Sequence, residues 1–114
     1  MPIVNCIVSP DFKGEIESKP GLIQRWSKES GVSEAGKEMT INIVRSEAQC
    51  GNKYKIVAYL DLPTQWSPDS IISLQRGLGI ALTKSFSLTS DEVLIITHVI
   101  ESGKIFDKGE IVKW

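Results

Sequence analysis

The order strand, helix, strand occurs twice within these 114 residues, and that duplication constrains the fold more than any other feature. In the first copy, residues 2 to 8 (PIVNCIV) are β-branched and apolar and stop at Ser9-Pro10-Asp11, which predicts a buried strand running into a turn. Residues 9 to 17 read as a loop or an irregular helical lead. A helix then starts at a capping Ser18 with Pro20 in its first turn, carries Leu22, Ile23 and Trp26 on one face, and ends at Gly31. The run MTINIVR (39–45) predicts the second strand, with Thr40, Asn42 and Val44 on one face and Ile41, Ile43 and Arg45 on the other.

The second copy follows the polar link EAQCGN. KYKIVAYLDL reads as a strand, and Ser67-Pro68-Asp69 supplies a capping serine with proline at the first helical position. Ile71, Leu74, Leu78 and Leu82 recur at spacings of three and four, widened by Ile72 and Phe86, so this helix packs against a sheet. Gly77 and Gly79 each cost about 1 kcal/mol against alanine inside a helix and point to a close helix-to-sheet approach. EVLIITHVI, after the Thr89-Ser90-Asp91 turn, is the most strand-like run and is expected to be a central strand. The ending KIFDKGEIVKW alternates around Lys108-Gly109 and predicts a hairpin.

The expectation is a single α/β domain over 1–114, an α+β sandwich. Pseudo-repeat halves at about 2–46 and 54–99 form a four-stranded sheet, two helices cover one face, and a hairpin follows at 103–114. If the strands within each unit are parallel, the crossovers are right-handed. Ile41, Ile43, Val57, Tyr59 and Ile95, or their alternates, are assigned to the face away from the helices, where oligomerisation is the simplest cover.

Composition narrows the function. At 41% hydrophobic and 24% charged the chain suits one core, and 13 basic against 14 acidic side chains give a net charge of −1, with no basic field for nucleic acid or a membrane surface. An RNA-binding reading of the strand order also fails, because the strands lack stacking aromatics. Apolar runs such as Val93 to Ile96 are far short of the ~20 residues of a membrane span, and the first residues lack the basic flank of a signal peptide, so the expected location is cytoplasmic. Cys6 and Cys50 form no paired motif and read as free thiols. With His98 as the single histidine and no ligand spacing, neither a metal nor a cofactor is expected.

The chemical candidate is the opening Met-Pro. A small second residue permits removal of Met1, which turns the Pro2 nitrogen into a secondary amine. An α-amine titrates near ~8 in water, and apolar enclosure lowers that value, giving a base or nucleophile near neutral pH. Taken with the doubled βαβ order and the terminal hairpin, PIVNCIV and LTSDEVLIITHVIESGKIFDKGEIVKW resemble the tautomerase superfamily, including its macrophage migration inhibitory factor-like members. That resemblance implies a homotrimer acting on a small carboxylic acid with Pro2 as catalytic base. It also implies that Lys37 matches a lysine at the pocket mouth, that Ile96 stands where relatives place a polar tyrosine or asparagine, and that Asp107 stands where one dehalogenase branch places a water-activating glutamate.

The chain departs from that pattern where relatives acting on chloroacrylates or dicarboxylates carry arginines: Phe12-Lys13 and Leu62-Pro63 occupy those places. Lysine is a point charge where arginine pairs bidentately, which implies looser capture or a different substrate. Lys13, Lys37 and Arg45 are the candidate cations for a developing enolate. His98, alternating with Ile96, reads as either a bonded structural histidine or a substrate contact. The leading expectation is a cofactor-independent tautomerase or isomerase of small 2-oxo or enol acids. The alternatives are a hydratase, dehalogenase or decarboxylase with Pro2 as acid, and a trimeric binding or signalling protein without activity.

Overall fold

The computed structural model describes residues 1–16, 21–32 and 38–114. The strands are β1 (Ile3–Val8), β2 (Thr40–Arg45), β3 (Ile56–Pro63) and β4 (Val93–Ile100), with helices α1 (Leu22–Ser30) and α2 (Pro68–Phe86) between them and a terminal hairpin of β5 (Ile105–Asp107) and β6 (Glu110–Val112). The sheet order is β2-β1-β3-β4. β1 and β2 are parallel, β3 and β4 are parallel, and β1 meets β3 antiparallel, so each strand-helix-strand unit is intact and the second runs opposite to the first.

Both helices sit on one sheet face because the apolar stripes and the strand alternation leave no other partner. Val4, Cys6 and Val8 of β1 and Ile56, Ala58, Leu60 and Leu62 of β3 bury against Leu22, Trp26, Leu74, Leu78 and Leu82 in a single core. Each fully buried leucine contributes roughly 2 kcal/mol from lost apolar surface. The Trp26 indole N–H donates to the Leu74 carbonyl at 2.9 Å, which satisfies the one polar atom that this large side chain carries into the core.

Helix α2 begins as the sequence indicates: the Ser67 hydroxyl accepts from the Ser70 amide, and Pro68 occupies the first turn. Helix α1 begins at Leu22 with Gly21 at its N-cap and stops at Gly31 in the left-handed region (φ 70), while Ser18 and Pro20 lie outside the described residues.

Three expectations need correction. EVLIITHVI forms β4, an edge strand of the sheet and not a central one; its apolarity is silent on hydrogen-bonded neighbours, and none of its residues is fully buried within the chain. Gly77 approaches α1 rather than the sheet: a Cβ there would lie 2.7 Å from the Ser30 backbone nitrogen and 2.8 Å from its Cα, whereas Gly79 faces Ile95 of β4. Ile41, Ile43 and Ile95 pack against the helix-side core. Register therefore gives the opposite face to Ile3, Asn5, Ile7, Val57, Tyr59 and Ile96. Asn5, in the middle of that face, accepts from the Asn42 amide at 2.9 Å.

Candidate active site

Pro2 suits the position immediately before β1 because it has no amide hydrogen to pair there. Its carbonyl accepts from the Thr40 amide at 3.0 Å, opening the parallel ladder with β2, and its ring is fully buried. β3 ends beside it, since Ile3 pairs with Asp61 and Pro63 lies just beyond. The β5–β6 hairpin closes over this corner. Lys108 (φ 52) and Gly109 (φ 82) make the two-residue turn with both residues at positive φ, the geometry whose twist matches a hairpin. Trp114 ties the chain end down: its indole N–H donates to the Thr64 hydroxyl and its amide to the Ser102 hydroxyl, both at 2.8 Å.

Between hairpin and sheet lies a cavity of about 540 Å³ whose walls include Met1, Ile3, Glu38, Asp107, Lys108 and Trp114. The Met1 ammonium stands 3.2 Å from a Glu38 carboxylate oxygen. Met1 makes the Pro2 nitrogen an ordinary tertiary amide; its removal leaves a secondary amine between two cavity-lining positions.

No family model matches the sequence, and no curated protein matches it. Solved structures match its shape. A wild-type fused 4-OT, an asymmetric trimer, superposes with a TM-score of 0.75 at 13% identity over 96% of this chain and 94% of the other. A protein named Pt0534, inactivated by 2-oxo-3-pentynoate, gives 0.72 at 13% identity with the same coverages, 96% and 94%. Macrophage migration inhibitory factor from Oncomelania hupensis gives 0.68 at 11% identity over 98% of this chain and 82% of its own. The chain has the tautomerase-superfamily fold. At these identities the likeness carries architecture and leaves the chemistry to this chain's own side chains.

Within the tautomerase fold the sequence candidates separate into groups. Asp107 lines the cavity, and Pro2 is buried beside it, between the lining residues Met1 and Ile3. Lys37 lies outside the described residues. Arg45 and Lys13 fall at the opposite end of the sheet, about 20 Å away along the six residues of β1. There the Arg45 guanidinium donates to the carbonyls of Ser9 (3.3 Å), Phe12 (2.5 Å) and Gly14 (3.5 Å), which pins the loop leaving β1. Lys13 borders an open groove of about 610 Å³ with Phe12, Lys55 and Phe86. Within one chain neither cation shares the Pro2 cavity.

Ile96 and His98 project from the face away from the helices, where Ile96 is 38% exposed and His98 Nδ1 lies 3.7 Å from Asp61 Oδ1. Among the described residues no group of histidine, cysteine or carboxylate side chains could hold a metal, and no helix is long and apolar enough to cross a membrane. Cys6 and Cys50 are unpaired, and burial pushes the Cys6 thiol up to about 12, so it stays protonated.

Sequence reasoning missed Glu38, Lys108 and the docking role of Trp114. A signal for Glu38 was present. Parallel pairing within a βαβ unit sets the residues before β2 beside those before β1, which puts Glu38 next to the chain's first nitrogen.

Proposed function

We propose that the chain, with Met1 removed, is a cofactor-independent tautomerase or isomerase of small 2-oxo or enol acids with Pro2 as general base. The observation that carries this reading is the placement of Pro2 at the strand-start corner, between lining residues of a cavity that also holds Asp107 and Lys108. The Pro2 nitrogen takes a proton from the carbon beside the substrate carbonyl, or from an enol oxygen. The electron pair moves onto the oxygen or the adjacent carbon, and the protonated amine returns the proton at the other position, so the product is an isomer. A cation steadies the enolate while the charge is present. Lys108 is the described cation in the cavity. Lys37 remains a candidate from sequence, and Lys13 or Arg45 would have to come from a neighbouring subunit. The same-fold protein inactivated by a 2-oxo acid supports this substrate class.

A homotrimer is part of the proposal. The half-exposed face bearing Ile7, Val57, Leu94 and Ile96 calls for a cover, and a same-fold fused 4-OT is a trimer. Two unpaired thiols suit a reducing compartment, and the cytoplasm is the proposed location.

Asp107 favours a second reading: a protonated Pro2 acts as acid while Asp107 orients water for hydration, dehalogenation or decarboxylation. The test is intact-mass measurement before and after incubation with a 3-halopropiolate. The expected result is loss of Met1 and a single adduct that Pro2→Ala prevents. A retained Met1, or a processed chain that stays unlabelled, overturns both enzymatic readings and leaves the binding protein. Turnover that rises with pH marks the base, and turnover that falls marks the acid.

A further inference from the structure

We propose that Glu38 is the counter-carboxylate of the terminal amine: once Met1 is gone, it pairs with the Pro2 ammonium and raises the pH at which that amine becomes a base. This rests on the reading above that Pro2 becomes the chain terminus.

The geometry begins with the existing pair. The Met1 ammonium and Glu38 are 3.2 Å apart, with side chains 32% and 60% exposed. Three bonds separate the Met1 nitrogen from that of Pro2, so removing Met1 moves the charge inward by less than about 4.5 Å. Pro2 itself is held in place, because its carbonyl accepts from Thr40 and its ring is buried. Glu38 lies two residues before Thr40 on the same run of chain, and its exposed side chain has room to follow the charge.

The other charged groups that face this corner, among the described residues, are Asp107 and Lys108 of the hairpin turn, with the Asp61–His98 pair beyond Ile3. Asp107 and Lys108 are adjacent and opposite in sign, so they largely cancel at the terminal nitrogen. The β3 end contributes Pro63 and Gln65, which carry no charge. The chain's last carboxylate belongs to Trp114, which also lines the cavity, and among the described residues Glu38 is the carboxylate that pairs with the terminal ammonium.

Two effects therefore compete at Pro2. Apolar enclosure favours the neutral amine, and the Glu38 carboxylate favours the ammonium. Glu38 is a positioning residue in this scheme: it sets how much of the protein carries the base form at a given pH, and substrate never has to touch it.

The test uses the full-length protein labelled with [15N]proline and follows the Pro2 nitrogen resonance across pH. The remaining prolines are tertiary amides and do not titrate. Glu38→Gln is expected to lower the Pro2 midpoint by about 0.5–1 unit, a modest shift because the carboxylate is partly solvated, and Glu38→Asp restores most of it. The pH dependence of turnover moves by the same amount. An unchanged midpoint in Glu38→Gln overturns this inference alone, as does a midpoint that responds to Asp107→Asn more than to Glu38→Gln. A chain in which no proline nitrogen titrates overturns the proposed function together with it.

Discussion

The two ends of the sheet are built to different standards. At the end where β1 stops, backbone and side chains are knitted together. Arg45 holds three loop carbonyls, the Ser9 amide donates to Lys55, the Ser46 amide to Val8, and the Lys55 amide to Glu92. Asp11 accepts from the Ser9 hydroxyl at 2.6 Å and pairs with Lys55 at 3.4 Å. At the end where β1 starts, Thr40 to Pro2 and Thr64 to Ile100 close the ladder, the hairpin docks through Trp114, and charged groups are left facing a cavity. The contrast teaches that Arg45 is committed to the loop after β1, since charge consumed by backbone carbonyls is less available to a substrate, while the chemistry proposed for Pro2 belongs to the other end.

The largest expected effect lies between the ends and tests that they share one core. Gly77→Ala drives a Cβ into the Ser30 backbone of α1 and costs about 2–3 kcal/mol in urea unfolding, with protection lost equally at both ends in hydrogen exchange. Arg45→Ala comes next, at about 2 kcal/mol for its charge-assisted bonds, with exchange accelerated in the loop after β1 and the Pro2 titration unmoved. A changed titration with unchanged stability would return Arg45 to the active site and break the comparison. Trp114→Phe removes a single indole donor and weakens hairpin docking by about 1 kcal/mol, so proteolysis within 101–114 accelerates while the global unfolding midpoint stays put.

The smallest effect is with acid. Asp11 is held below its ordinary value by the Ser9 hydroxyl and then by Lys55, and Glu92 by the Thr89 amide and then the Thr89 hydroxyl. Both carboxylates are stronger acids folded than unfolded, so their stabilisation is complete above about pH 4 and is lost as pH falls through their lower folded values. Exchange at the end where β1 stops should therefore rise before that at the hairpin as pH is taken below about 4.

Most of the architecture was legible because alternation, caps and turn residues are local. PIVNCIV, Ser67-Pro68 and Lys108-Gly109 each carry their own instruction, and each forms the element indicated, to within a residue or two at its ends. Strand order was less legible, since the apolarity of β4 is the same at an edge as in the middle. Of the candidates named from sequence, Asp107 lines the cavity and Pro2 lies next to it. The distance of Arg45 from Pro2 within one chain was not legible from its charge, although parallel pairing with β1 already sets the last residue of β2 against Val8. Glu38 has no motif of its own, and its only signal is the parallel pairing of β1 with β2, which sets it beside Met1.

The antiparallel junction of β1 and β3 has a consequence for stoichiometry. It relates the two βαβ units by a half-turn, so Lys55, immediately before β3, is the counterpart of Pro2, immediately before β1. The doubled plan thus has two like corners, yet Lys55 is bonded into the chain on both sides and can never offer an α-amine. On the proposed function each chain can arm one corner, and an assembly of such chains would carry as many reactive amines as subunits rather than twice that number.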